Sequence, residues 1–177
     1  MKRIFWLFSL VLCFSVSTFA QNWYVNTQFG IDYMTNERNV FTSYNNVFNG
    51  QIGYYFTPQS AVEFDYSHGF EKELYDVCDV SYNRIGFNYL FECPTSLAVA
   101  PFFKSGFGYR LYNLDSYKET DNYFYGDIKL GIGAHCYLSE DVTLNFGIDA
   151  YYMFNDYSYQ FKDTFSFQPY VGVGFNF

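Results

Sequence analysis

After residue 20 the chain alternates. Trp23, Val25, Phe29, Ile31 and Tyr33 share one parity, while Asn26, Gln28, Gly30 and Asp32 share the other, and the same rhythm returns seven more times. A period of two belongs to the β-strand, whose successive side chains point to opposite faces. The pattern predicts strands over 23–34, 44–56, 61–70, 80–91, 97–112, 123–138, 142–154 and 164–177. In the fourth of these, Ile85, Phe87, Tyr89 and Phe91 oppose Arg84, Gly86 and Asn88. No stretch after Ala20 sustains the apolar period of about 3.6 residues that marks a helix, and none has the length to cross a membrane as one.

The connections also alternate, between short and long. Tight turns at 57–60, 92–96 and 139–141 separate longer polar segments near 35–43, 71–79, 113–122 and 155–163. Strands of about ten residues suit a tilted crossing of a bilayer, and short periplasmic turns with longer extracellular loops are the habit of outer-membrane barrels. The apolar parity is heavy in Phe and Tyr and the other in Gly, Asn, Asp, Glu, Lys and Arg, so the apolar side faces lipid; a soluble barrel would invert this. Lipid cannot satisfy an open sheet edge, so the sheet must close. The expected fold is all-β, an eight-stranded antiparallel up-and-down transmembrane β-barrel with both termini on the periplasmic side. Pro169 lies inside the last strand and removes a ladder donor, which predicts a bulge there.

The first twenty residues follow a different logic. Lys2 and Arg3 precede an apolar run from Ile4 to Val16, and Thr18-Phe19-Ala20 sets small residues before a cut between Ala20 and Gln21. Residues 1–20 read as a cleaved secretory signal peptide and 21–177 as the barrel. Leu12 before Cys13 argues against a lipoprotein signal. The mature chain keeps eight basic residues against eighteen acidic ones, a net charge of −10. Without a basic run it has no electrostatic footprint for nucleic acid. Cys78 and Cys93 stand at opposite ends of one expected strand, too far apart for a disulfide, and with Cys136 they make an odd number. Three scattered cysteines and two histidines, His68 and His135, suggest no metal centre, and no cofactor is expected.

Several motifs resemble the transmembrane domain of outer-membrane protein A and its small relatives. They are Gly53-Tyr54-Tyr55-Phe56-Thr57-Pro58, Val62-Glu63-Phe64-Asp65-Tyr66, Gly106-Phe107-Gly108-Tyr109 and Gly131-Ile132-Gly133-Ala134. Tyr170, Gly172, Phe175 and Phe177 match the terminal pattern by which such proteins are recognised for insertion. The resemblance covers the mature chain and implies the barrel assembly machinery as a partner and the bacterial outer membrane, with its lipid and lipopolysaccharide, as the location. It departs from the full-length protein A pattern by stopping at Phe177, so no periplasmic peptidoglycan-binding domain is inferred from it.

The inward parity collects the acids Asp32, Glu63, Asp65, Asp127 and Asp149 and the bases Arg84, Lys104, Arg110 and Lys129. Buried unpaired, each would cost several kcal/mol, so their near balance predicts a paired network. An eight-stranded interior is only wide enough for its own side chains, which argues against a wide pore, although a gated conduit is an alternative. The resemblance also includes lipid A-modifying enzymes. A hydrolase would need a Ser activated by His, but Ser67 and His68 point to opposite faces, and His135 points inward near the periplasmic end. No catalytic residue is expected. The acidic and aromatic loops, with Glu71, Glu73, Tyr75, Asp76 and Asp79 or Asp115, Tyr117, Glu119, Asp121 and Tyr123, suit a surface role: envelope integrity, contact with other envelope proteins, or adhesion to a host surface.

Overall fold

Along β3 (Ser60–Leu74) the environment alternates with the residue number. Val62, Phe64 and Tyr66 are 40% or more exposed, whereas Ala61, Glu63, Asp65 and Ser67 are at most 1% exposed. The same division runs around the whole wall. The protein, seen in a computed structural model, is described over residues 22–35, 41–74, 78–95, 97–116, 120–154 and 164–177. The proposed cut at Ala20 and Gln21 lies outside the described residues.

The other strands are β1 (Trp23–Thr35), β2 (Phe41–Thr57), β4 (Cys78–Glu92), β5 (Val99–Ser116), β6 (Thr120–Tyr137), β7 (Val142–Phe154) and β8 (Thr164–Asn176). Each pairs antiparallel with its sequence neighbours, and β8 returns to β1 to close an eight-stranded barrel. A path perpendicular to the strands runs from Gly174 through Asn26, Gln51, Asp65, Gly86, Gly108, Asp127 and Met153. It arrives back on β8 at Thr164, ten residues from its start. That stagger tilts the strands by about 40° from the barrel axis.

Most strands outlast their alternation. β2, β3 and β5 run to Phe41, Leu74 and Ser116, beyond the expected ends at 44, 70 and 112, because antiparallel pairing continues through polar residues such as Asp79 opposite Asp115. β5 starts at Val99 rather than 97, after the segment containing Pro94, and Glu92 belongs to β4 rather than to the turn.

The bulge expected at Pro169 is absent. Register is constant across it, with Ile148 opposite Pro169, and pairing with β1 lapses only opposite Ile31 and Asp32. Losing one donor interrupts the ladder without inserting a residue. The irregularities fall instead at Met34/Thr35, Tyr55/Thr57 and Gly69/Lys72, near strand ends.

Outward side chains form an apolar belt that includes Phe29, Phe64, Ile85, Phe87, Phe107, Ile128, Leu130, Ile132, Val171 and Phe175. Among the described residues no helix is long and apolar enough to cross a membrane. The membrane-facing element is the sheet itself. Cys93 is an exposed free thiol just past the short-turn end of β4, and Cys78 begins the other end of that strand.

Candidate functional site

The inward residues stack in three layers. The middle layer is ionic and holds nine charged residues of the inward parity, each fully buried or nearly so. Arg84 on β4 is its hub. Its Nη1 lies 2.5 Å from Asp65 Oδ2, while Nη2 and Nε lie 2.8 and 2.9 Å from the two oxygens of Asp127. A fork onto a carboxylate is the strongest pairing a guanidinium makes. Lys129 Nζ sits 2.8 Å from Asp149 Oδ2 and 3.5 Å from the Asp65 carboxylate. Lys104 reaches Glu63 at 3.2 Å and Gln51 at 3.3 Å, and Arg110 reaches Asp32 at 2.7 Å.

Glycines on the same parity make room for this layer. A Cβ on Gly86 would stand 2.6 Å from Arg84 Nη1, and one on Gly108 would stand 2.6 Å from Arg84 Nη2. The guanidinium therefore lies across bare backbone. Tyr151 packs between the two arginines, its ring 4.9 Å from Arg84 Cζ and 4.8 Å from Arg110 Cζ. Five acids face four bases, and hydroxyls offset the imbalance: Tyr24 donates to Glu63 and Tyr82 to Asp32, both at 2.8 Å. The side-chain amides of Asn49, Asn145 and Gln168 are buried with no partner from the described residues.

Two apolar layers bracket the charges. Toward the ends with longer connections lie Met34, Val47, Tyr82, Tyr112, Tyr125 and Met153. There Tyr112 Oη approaches the Met153 sulfur at 3.4 Å and the Met34 sulfur at 3.6 Å. Toward the short turns lie Tyr24, Ala61, Leu90, Phe102 and Tyr170. Below this second plug, at the mouth that bears the short turns, Glu92 gathers three partners: His135 Nδ1 at 2.7 Å, Tyr137 Oη at 2.8 Å and Tyr55 Oη at 3.3 Å.

The histidines do not meet. His135 is inside, stacked at 4.5 Å on Phe102, whereas His68 is on the outer wall beside Asn83. Among the described residues no cluster of His, Cys, Asp and Glu could hold a metal ion. Of the terminal pattern, Tyr170 and Gly172 face inward, Phe175 and Phe177 face outward, and the Phe177 amide donates to the Trp23 carbonyl at 2.8 Å. Glu92, Tyr55, Tyr137, Tyr24, Tyr82 and Tyr112 escaped the sequence reading as partners in this interior. Parity could have found the inward tyrosines, because they share it with the charged residues.

A closed barrel with an apolar outer belt and a sealed polar interior defines an integral membrane barrel of eight strands. Residues 6–177 match the outer membrane protein beta-barrel domain family, and the chain belongs to that family. Its place is the bacterial outer membrane. Neisserial surface protein A is similar in structure, with a TM-score of 0.74 at 15% identity, covering 88% of this chain and 97% of that one. The N-terminal β-barrel domain of Pseudomonas aeruginosa OprF gives 0.64 at 21%, covering 89% and 98%. Ail, the attachment invasion locus protein of Yersinia pestis, gives 0.63 at 12%, covering 89% and 99%. The outer membrane enzyme PagL has the same fold at a TM-score of 0.52, with 10% identity over 84% and 97% of the two chains. At these identities the likeness is one of fold. A comparison with curated protein sequences gives no match.

Proposed function

We propose that the protein is a closed structural barrel of the outer membrane that acts through its extracellular surface, in envelope integrity or adhesion, and is neither a wide pore nor an enzyme. The observation that carries this reading is the ionic layer centred on Arg84, with its carboxylates at 2.5 to 2.9 Å and an apolar plug on either side. Opening such an interior would strand buried charges, at several kcal/mol each. The name of Ail ties that protein to attachment, which favours the surface part of the reading.

Against the acyl-transfer alternative, Ser67 and His68 lie on opposite faces of β3, and although Ser81 shares the outer face with His68, the imidazole Nδ1 is engaged with Asn83 at 3.0 Å. His135 is occupied by Glu92 at the inner mouth, away from lipid. We further propose export by the signal peptide of residues 1–20, with cleavage between Ala20 and Gln21. The barrel assembly machinery then recognises Tyr170, Gly172, Phe175 and Phe177.

Planar-bilayer recording of the purified protein tests closure: the expected outcome is no stable open level, and large steady single-channel currents would overturn it. A deletion strain separates the rest, with fragility toward detergents or lost surface attachment expected. A change in lipid A acylation would instead favour the enzyme.

A further inference from the structure

The charges of the ionic layer are not evenly shared. Lys104 pairs with Glu63 and Arg110 with Asp32, and each of these pairs is neutral. What remains is one connected chain, Asp127–Arg84–Asp65–Lys129–Asp149, in which three carboxylates share two cations. Its surplus is one negative charge. The hydroxyls of Tyr24 and Tyr82 relieve the layer elsewhere, since they donate to Glu63 and Asp32, in the pairs that are already balanced. A buried carboxylate without compensation is strongly unfavourable.

The surplus falls at the Asp149 end of the chain. Asp127 has both oxygens held by the Arg84 fork, and Asp65 lies between two bases. Asp149 has Lys129, which it shares with Asp65, and the Tyr151 hydroxyl at 3.5 Å, both on Oδ2. Its Oδ1 is buried with no partner from the described residues. Two oxygens beside it are in the same condition. Gln168 stands opposite Asp149 across β7 and β8, Tyr170 stands opposite Gly147 one inward position along, and Gln168 Oε1 and Tyr170 Oη are both unpartnered. The wall there is bare backbone: a Cβ on Gly131 would collide with Asp149 Oδ1, and one on Gly147 would lie 2.7 Å from Tyr170 Oη. Lys104, opposite Gly131 on β5, is engaged by Glu63 at 3.2 Å and Gln51 at 3.3 Å. Asn49 and Asn145 are unpartnered as well, but they carry no charge.

We propose that Asp149 Oδ1, Gln168 Oε1 and Tyr170 Oη hold one alkali-metal cation, sodium or potassium, which neutralises the layer. Three features select this occupant. The surplus is a single charge, so a divalent ion would replace it with an excess of the other sign. The donors are all oxygens, which suit a hard cation, and with one carboxylate they differ from the clustered His, Cys, Asp and Glu of a transition-metal centre. A proton would cancel the charge but would serve Asp149 alone, leaving the Gln168 and Tyr170 oxygens as they are. Apolar plugs lie on both sides of the layer, so the ion enters as the barrel closes. The site rests on the ionic layer and not on the surface role proposed above, and either can fail without the other.

The test unfolds the full barrel with urea in detergent micelles at constant ionic strength, with choline chloride replaced stepwise by sodium chloride or by potassium chloride. We expect the unfolding constant to fall about tenfold once the ion stands tenfold above its dissociation constant, the linkage of a ligand that binds only the folded state. Whichever ion acts at the lower concentration is the occupant. Asp149→Asn keeps the shape of the side chain and removes the surplus charge, so it folds, as the heat-dependent shift in gel mobility checks, and its unfolding constant responds to neither ion. Glu140→Gln, in an exposed turn outside the layer, responds like the parent. Equal unfolding constants in all three salts, the result if a proton does the work, overturn the site. So does a response that survives Asp149→Asn or disappears in Glu140→Gln. Should Asp149→Asn fail to fold, Tyr170→Phe removes one oxygen and no charge: it should raise the ion concentration needed by about tenfold, the loss of one contact to a charged group, and an unaltered response there overturns the site.

Discussion

Arg84 and Ile85 are neighbours in β4 and live in different solvents. Arg84 is 1% exposed and bonded to two carboxylates on two other strands, whereas Ile85 is 50% exposed to the surroundings of the barrel. Inside the wall each side chain answers to particular partners. Outside it answers only to the requirement of being apolar. The two faces of one strand thus place opposite demands on sequence: identity within, hydropathy without.

The sharpest way to break this contrast is Arg84→Met. The substitution keeps an apolar stem but leaves Asp65 without its 2.5 Å partner and Asp127 without its fork. Stability to urea in lipid or micelles should fall by about 3–5 kcal/mol. A loss below 1 kcal/mol, on the order of an exposed pair, would mean the interior is not a dry network.

A smaller effect is expected from Gly108→Val. The new Cβ would stand 2.6 Å from both Arg84 Nη2 and the Ile85 carbonyl oxygen, and one of those contacts is backbone. Overpacking of this kind costs about 1–3 kcal/mol. The same unfolding titration measures it, and a neutral outcome would mean that the guanidinium can lie elsewhere.

On the outer face the scale drops. Phe107→Leu trades one lipid-facing group, 62% exposed, for another, and should change stability by less than about 1.5 kcal/mol. A loss as large as that of Arg84→Met would erase the distinction between the faces. Deleting Phe177 should have the smallest effect on folding, a fraction of the roughly 1.5–3 kcal/mol of a fully buried Phe. Yet it should sharply lower the amount in the outer membrane, as seen by immunoblot of membrane fractions. If both quantities stay unchanged, Phe177 is ordinary belt and carries no assembly signal.

This contrast also explains what the sequence discloses. Hydropathy is written residue by residue, so the outer face, the strand count and the closed topology follow from alternation alone. Partnership is not written that way. That Arg84 grips Asp127, two strands away on β6, depends on a ten-residue stagger that no single strand records. Tyr24, Tyr82 and Tyr112 were obscured because an aromatic ring reads as lipid-facing, yet their hydroxyls serve Glu63, Asp32 and the Met34 and Met153 sulfurs inside. Glu92 was assigned to a turn because Pro94 follows closely, whereas the backbone keeps pairing through it, opposite Phe102. Pro169 misled in the other direction, since a missing donor need not displace a register.

The seam between β1 and β8 joins residues that the chain delivers first and last: Val25 pairs with Phe175. Until β8 has arrived, the growing sheet has two raw edges, and neither can be left in hydrocarbon. No shorter version of this sheet is a membrane protein. Closure is therefore the step at which the sheet becomes compatible with hydrocarbon: a chain that lacks β8 cannot close the ring and keeps two unpaired edges.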